Sequence, residues 1–179
     1  MIALLLAEGF EEVEAITPVD FLRRAGVDVR LVGIGGRLIK GAHDVAIQAD
    51  MSIEDAPQDV DGVILPGGMP GAENIAGSPE ALSLIRRMHR QGKLVAAICA
   101  APAVALMKAG ILEGRKVTCY PGFESRLAGC EFVEDRVVID GNIVTSRGPG
   151  TAAEFALALI EILTDRETSR DIHGKTLQR

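Results

Sequence analysis

Val95-Ala96-Ala97-Ile98-Cys99-Ala100-Ala101-Pro102-Ala103 carries the chain from an apolar, strand-like segment, Leu94 to Ile98, through one cysteine into an alanine-rich stretch. Pro102 suits the first turn of a helix, where its missing N–H is no loss. The pattern is that of a nucleophile elbow. A side chain held on a sharp strand-to-helix turn needs small residues two positions to either side, and Ala97 and Ala101 supply them as glycines do in G-x-S-x-G. The helix N-terminus that follows offers unpaired N–H groups and a positive dipole end, both favouring a thiolate. Free cysteine is also a common small, buried apolar residue, so the stretch alone leaves Cys99 open between nucleophile and core filler.

Upstream, residues 60–65 read as a strand that ends in Pro66-Gly67-Gly68-Met69-Pro70-Gly71, a loop too rich in Gly and Pro to be regular. Ser78-Pro79-Glu80 then reads as N-cap, N1 and acidic first turn of a helix running to about Gln91, before Gly92. At the start of the chain, residues 2–7 form a continuous apolar run, as a strand buried on both faces would show. Residues 11–25 carry Val13, Ile16, Val19, Phe21 and Leu22 at near-helical spacing, closed by Gly26. Pro18 frees the Glu14 carbonyl in that helix and predicts a kink. Residues 27–32 are the next strand, and Gly33 to Gly36 turn the chain into a hairpin of Leu38-Ile39 with Val45-Ala46-Ile47.

Downstream, the elbow helix ends near Gly110, residues 116–119 are strand-like, and Tyr120-Pro121-Gly122 turns. Residues 136–139 and 143–145 flank Asp140-Gly141-Asn142 as a hairpin. Thr151-Ala152-Ala153-Glu154 reads as a capping box, with Phe155, Ala158, Leu159 and Ile162 as the core face of the last long helix, before a polar tail over 165–179. Strands alternating with helices predict an α/β fold, a parallel sheet wrapped on both faces with its ligand site at the carboxyl ends of the strands. Cys99, the Gly67-Gly68 loop and the start of the first helix fall there. No internal repeat or linker divides the 179 residues, so one domain spanning 1–179 is expected.

Hydrophobic residues at 47% and charged residues at 25% are a globular balance, with no run that could span a bilayer. A net charge of -6 gives no electrostatic reason to expect nucleic acid or an anionic membrane as partner. Cys99, Cys119 and Cys130 form neither a C-x-x-C pair nor an even framework, which points to thiols in a reducing compartment, the cytoplasm. Residues 1–7 lack a basic n-region and lead into acids, so they read as a first strand and not a signal peptide, and the mature chain is expected to start there. Aromatics at 3%, with no Trp, argue against stacking on bases or sugars and favour small ligands.

A cysteine that attacks a carbonyl needs donors for the developing oxyanion, and the backbone N–H groups of Gly67, Gly68 and Ala100 are the candidates. A Pro-Gly-Gly segment is equally a plain turn. No G-x-x-x-x-G-K-[ST] loop occurs, and Gly33-Ile34-Gly35-Gly36 precedes the extended Arg37-Leu38-Ile39, so no dinucleotide fingerprint is formed. Glu14 is the carboxylate placed against Cys99: on the apolar side of the first helix, beside Val13 and Ile16, desolvation would raise its pKa and let it donate to sulfur. Glu8, Glu11 and Glu12 are the solvated alternatives, of the kind helix N-termini collect. His43, His89 and His173 are scattered and none follows Cys99, so no Cys-His pair is visible; His89 reads as a solvated helix residue and His173 as part of the tail.

Glu8-Gly9-Phe10-Glu11-Glu12-Val13-Glu14 with Pro18-Val19-Asp20, Leu65-Pro66-Gly67-Gly68, Ala97-Ile98-Cys99-Ala100-Ala101-Pro102, and Thr145-Ser146-Arg147-Gly148-Pro149-Gly150-Thr151 with Glu154-Phe155 together resemble the ThiJ/PfpI family. Within it they are similar to the clade of the human parkinsonism protein DJ-one and its bacterial relatives. The resemblance implies a flavodoxin-like three-layer sandwich, a homodimer, no cofactor and no metal, and a Cys99 easily oxidised to a sulfinate beside a protonated Glu14. It implies cofactor-independent, glyoxalase- or deglycase-like chemistry, as a lyase or hydrolase, on reactive dicarbonyls such as methylglyoxal or their early adducts with amines, linked to oxidative stress. The alternative it implies is a redox sensor or chaperone without turnover. Cys99, Glu14, Gly68 and Ala100 are then the candidate catalytic residues, and Gly67, Tyr120, His43 and Arg147 the candidate substrate contacts. This chain departs from the pattern in three places. Tyr120 precedes Pro121 where a histidine near the cysteine is expected, Ala100 stands where the family's peptidases have a histidine, and His43 replaces an arginine that reaches toward the partner subunit.

Overall fold

The computed structural model describes residues 1–178. β1 (Ile2–Leu6) is buried at every position, as an unbroken apolar run requires of a strand covered on both faces. α1 (Glu12–Arg24) follows, its first turn capped by Glu11, whose Oε2 accepts the Glu14 N–H at 2.7 Å. β2 (Val29–Gly33) returns to the sheet. β3 (Leu38–Lys40) and β4 (Ala46–Gln48) form the separate antiparallel hairpin, and β5 (Met51–Ser52) adds a short edge. β6 (Gly62–Leu65) leads into α2 (Gly71–Gly77) and α3 (Pro79–Arg90), the latter capped by Ser78 Oγ on the Ala81 N–H at 3.1 Å. β7 (Leu94–Ile98) enters the elbow helix, a π-helical turn over Pro102–Leu106 continued by α4 (Met107–Ala109) and closed by Gly110 at φ 71°. β8 (Lys116–Val117) pairs with β9 (Glu131–Phe132), β10 (Val137–Asp140) with β11 (Ile143–Ser146), and α5 (Ala152–Leu163) and α6 (Arg166–Lys175) end the chain.

The main sheet has the order β10-β11-β7-β6-β1-β2-β5, parallel except for β10. From β1 the chain winds one way to β2 and β5, then crosses back to β6 and winds the other way to β7 and β11. Right-handed crossovers therefore put α1 on one face and α2, α3 and the elbow helix on the other. α1 packs on α5, and α5 on α6, closing the first face; the elbow helix packs on α2 and, through α4, on α3, closing the second. The reversal of winding opens a crevice beyond the carboxyl ends of β1 and β6, where such sheets bind ligands.

Local packing departs from the sequence expectations at five points. Val13 and Ile16 are 47% and 38% exposed, and the buried face of α1 is Glu14, Ala15, Pro18, Val19, Phe21 and Leu22. The apolar count over that helix mixes two faces, and tertiary contact selects one. On α5 the buried positions are Phe155, Ala156, Leu159 and Ile160, while Ile162 is exposed. The capping box at Thr151 and Glu154 does not form: Thr151 Oγ1 pairs with Ser146 Oγ at 2.6 Å and with the Gly148 backbone, and Glu154 binds Arg136. The Gly-Pro loop after β6 passes directly into α2, which begins at Gly71. The polar tail folds as α6, with Asp165 capping the Thr168 N–H at 2.8 Å and Ile172 buried; residue 179 of that tail lies outside the described residues.

Loops at the carboxyl end of the sheet are pressed against each other backbone to backbone. The Gly71 N–H donates to Gly9 O at 3.2 Å, and a β-carbon on Gly71 would lie 2.6 Å from Phe10 N and 2.7 Å from Gly9 C and O. No side chain can yield there. Gly71→Ala is therefore expected to lower stability by about 2 kcal/mol, the cost of overpacking a rigid site. Urea denaturation measures it, and an unchanged midpoint would contradict the close approach.

Candidate active site

Cys99 ends β7 at φ 66°, a left-handed conformation that side chains bearing a β-carbon rarely adopt. Both of its backbone groups are fixed: its N–H donates to Ser146 O at 3.0 Å and its carbonyl accepts from the Tyr120 N–H at 2.9 Å. Ala97 and Ala101 are wholly buried against the turn, as an elbow needs. Pro102 has no N–H to continue the hydrogen-bond ladder, and its carbonyl accepts from Met107 five residues on, so the helix leaves the elbow as a π turn. Cys99 itself is 8% exposed.

Glu14, inaccessible to solvent, meets Cys99 from α1. Its Oε2 accepts the Gly67 N–H at 2.8 Å, while Oε1 is buried without a hydrogen-bond partner. Gly67 allows this meeting because it has no side chain. A β-carbon there would lie 2.6 Å from Cys99 Cβ, 2.7 Å from Glu14 Oε2 and 3.0 Å from Cys99 Sγ. Gly67 thus positions the carboxyl, and its N–H is already committed. Gly68, at φ 86°, and Ala100 set backbone N–H groups near enough to the Cys99 sulfur to pull its pKa down. The two strand-end loops are held in register by Glu11 N–H to Gly67 O at 3.0 Å and Asn74 Nδ2 to Glu8 O at 2.8 Å.

Burial pushes the Glu14 carboxyl up to about 7; the Cys99 thiol beside it lowers it, the Glu11 charge raises it, and the Gly67 N–H lowers it. Burial, then the charge and closeness of the Glu14 carboxyl, push the Cys99 thiol up to about 12, against the pull of the Gly68 and Ala100 N–H groups. The expected pull of the N–H groups on the thiol is outweighed, by burial first and, while Glu14 is ionised, by its charge. With Glu14 protonated, the repulsion is gone and the carboxyl can donate to sulfur. When Glu14 is ionised, the proton that remains stays on sulfur, the more basic of the two atoms.

The ring of Tyr120 lies against Gly148, 3.0 Å from where a β-carbon would stand, and is half-exposed beside the elbow. Arg147 sets its guanidinium 5.9 Å from the Phe132 ring and its charge near Cys119, with Nη1 buried and unpartnered among the described residues. His43 is not brought to Cys99. Its Nδ1 pairs with Glu12 Oε2 at 2.8 Å and its backbone N–H donates to Glu12 Oε1 at 2.7 Å, tying the hairpin to the start of α1. Glu11, Glu12 and His43 bring three donor atoms within 4.8 Å of one another, but Glu11 and Glu12 already accept from the Glu14, His43 and Val45 N–H groups. His89 is half-buried and not solvated, and burial and the Arg115 charge lower its pKa. The supports that sequence reading missed are Glu11 as cap and the Ser146–Thr151 hydroxyl pair that pins the Gly148 loop. The second has no local signal, because its partners meet only across the turn.

Residues 1–162 match the DJ-1/PfpI family. Protein DJ-1 homolog B of Arabidopsis thaliana is 41% identical over 177 residues, covering 97% of this chain and 40% of that protein. The chain thus spans about two fifths of the length of that relative. A Pyrococcus horikoshii protein named a deglycase is 35% identical over 165 residues, covering 90% of this chain and 98% of that one. The crystal structure of Drosophila melanogaster DJ-1beta matches with a TM-score of 0.95 at 41% identity, covering 98% of this chain and 96% of that one. The chain belongs to the DJ-1/PfpI family, and its α/β architecture is the family's flavodoxin-like fold.

Between pH 4.5 and about 7 the unfolded chain ionises Glu14 while the folded chain keeps its proton, so stability falls as pH rises through that window and levels off above it. The shift corresponds to about 3 kcal/mol. Glu14→Gln, which has no proton to lose, is expected to be the more stable protein above pH 7 and to lose that advantage below pH 4.5. Chemical denaturation across this range checks it, and parallel pH profiles for the two proteins would sink the assignment.

Proposed function

We propose that this chain is a single-domain, cofactor-independent cysteine enzyme acting on reactive dicarbonyls such as methylglyoxal, or on their early adducts with amines, in protection against oxidative stress. The observation that carries the reading is the buried Glu14 carboxyl set against Cys99 on its strained elbow, with Gly67 leaving room for the two to meet. Proton transfer from sulfur to Glu14 leaves a thiolate that adds to the aldehyde carbon. The carbonyl π pair moves to oxygen, the two N–H groups hold the oxyanion, and Glu14 returns the proton to give a hemithioacetal.

Glu14, again a carboxylate, then takes the hydrogen from that carbon, and the electron pair forms an enediol with the neighbouring ketone carbon. Delivery of that proton to the second carbon, and passage of the first carbon's hydroxyl proton to the second carbon's oxygen, leave a thioester of lactate, which water cleaves to free the thiol. One carbon is oxidised and its neighbour reduced, so no external redox cofactor is consumed. Tyr120, half-exposed beside the elbow, would orient the substrate. The family's deglycase-named member in Pyrococcus horikoshii supports this class of chemistry.

A redox sensor is the second reading, favoured by the same donors. A sulfinate on Cys99 would find the Gly68 and Ala100 N–H groups and the Glu14 proton ready for its oxygens. Val13 and Ile16 on α1, with Leu38 and Val45 on the hairpin, are exposed apolar side chains that support a homodimer, with His43 at that edge. Three free cysteines support a reducing compartment such as the cytoplasm.

Lactate formation from methylglyoxal is expected to vanish in Cys99→Ala and to fall by roughly 10²-fold or more in Glu14→Gln. Turnover surviving in Cys99→Ala would refute the enzyme. If the native protein makes no lactate while mild peroxide adds two oxygens to Cys99 by intact mass, the sensor reading replaces it.

A further inference from the structure

Residues 53–58 follow the short edge strand β5 and lead the chain back toward β6. Their turn is fixed from within and from the sheet. The Ile53 N–H donates to Gly33 O at 2.9 Å, the Ala56 N–H to Ile53 O at 3.3 Å, and Ser52 Oγ to Asp55 Oδ2 at 2.8 Å. Glu80, Leu84 and Arg87, spaced four and three residues apart, fall on one side of α3 and line a cleft together with Ile53, Glu54 and Ala56 of that turn. Its volume is about 370 Å³, inside the range of small-molecule sites, roughly 300–1,000 Å³. Among the described residues, none that forms the Cys99 site lines it.

Arg87 is half-buried, and its Nε is sealed from solvent with no hydrogen-bond partner among the described residues. A buried donor left unpaired is costly, so this one calls for an acceptor from outside the chain. Glu54, exposed at the rim, forms no ion pair among the described residues, and neither does Arg87. Two opposite charges thus line one cleft without pairing with each other. The neighbouring Asp55 is taken up by Ser52, which leaves Glu54 as the uncommitted acid of the turn. Glu80 adds a second carboxylate, whose Oε2 accepts from Ser78 Oγ at 3.0 Å. Ile53, Ala56 and Leu84, all buried, supply the apolar part of the lining.

We propose that this cleft binds a free α-amino acid with an aliphatic side chain: its carboxylate on Arg87, its ammonium by Glu54 and Glu80, its side chain against Ile53, Ala56 and Leu84. A ligand with only negative charge would be repelled by the two carboxylates. A ligand with only positive charge would leave Arg87 Nε unpaired beside a like charge, and a neutral apolar one would leave both signs unanswered. A small dipolar molecule satisfies all three parts of the lining at once. The carboxylate suits the guanidinium fork, and a primary ammonium donates to carboxylates as a quaternary one cannot. Because the turn over 52–56 is held by its own hydrogen bonds, the cleft wall is ordered before the ligand arrives, which lowers the cost of binding. No covalent step is involved, and the site is independent of the chemistry at Cys99.

Isothermal titration with leucine is expected to show one saturable site per chain, with a Kd on the order of 1 mM or tighter. Leucinamide, which lacks the carboxylate, and N-acetylleucine, which lacks the ammonium, should each bind at least about tenfold more weakly, the loss that one charged hydrogen-bond partner brings. Arg87→Gln and Glu54→Gln should weaken leucine binding by at least about the same factor. Cys99→Ala should bind leucine as the native chain does, which separates this site from the catalytic reading. Amide chemical shifts perturbed by leucine should centre on residues 53–58 and 79–87. No saturable binding by the native protein, equal binding of either derivative, undiminished affinity in either variant, or perturbations centred on Gly67, Gly68 and Cys99 would each overturn the proposal. Thermal melting confirms that the variants are folded. Should Arg87→Gln not fold, the exposed Glu54→Gln and the two leucine derivatives on the native protein carry the same comparison.

Discussion

The hydrogen bond from the Gly67 N–H to Glu14 Oε2, 2.8 Å long and sealed from solvent, is the contact on which the site depends. Three strand ends converge on it: β1 through the start of α1, β6 through Gly67, and β7 through Cys99. A buried carboxyl is costly unless it is neutral or hydrogen-bonded, and Glu14 is provided for in both ways, with a pKa near 7 and a backbone donor. Gly67 can donate at that distance only because nothing projects from its α-carbon into the space that Cys99 fills. The constraint is mutual. The elbow puts Cys99 at a strained φ, the carboxyl needs a donor, and the loop needs glycine; each requirement is met by the other two.

Pairing a raised thiol with a raised carboxyl has a chemical consequence. Neither group is ionised cheaply alone, and while Glu14 is ionised the proton rests on sulfur, so a thiolate arises only as that proton passes to the carboxyl, a transfer that leaves the total charge unchanged. Glu14 is the charged side chain that acts on the sulfur, and the burial of both groups sets how readily either ionises.

Much of this was legible in the residues. Leu94–Ile98 as a strand into an elbow, the Gly67-Gly68 loop, Ser78 and Pro79 as the start of α3, and the hairpins at 38–48 and 137–146 each follow from short-range rules of period, capping and turn chemistry. Glu14 was legible as the partner of Cys99, but for a mistaken neighbourhood. Val13 and Ile16 face outward, and the carboxyl is buried by the other side of α1. The capping box at Thr151 was equally a local pattern that tertiary bonds overrode, since Ser146 and Arg136 offered its two side chains better partners. α6 was missed because a polar helix gains its stability from a cap, the docked Ile172 and the buried Ser169, whose hydroxyl donates to Leu157 O, rather than from an apolar stripe.

The sequence by itself determined the alternation of strands and helices, the family, and which residue types stand at the strand ends, because propensity, periodicity and turn requirements act over a few residues. Only the tertiary structure decided which face of α1 is buried, that the Gly67 N–H serves Glu14 rather than an oxyanion, and that burial outweighs the helix terminus in setting the Cys99 thiol. It also placed His43 on Glu12. These outcomes depend on desolvation and on contacts between residues far apart in the chain, 53 positions for Gly67 and Glu14, and neither is written in any local stretch of chain.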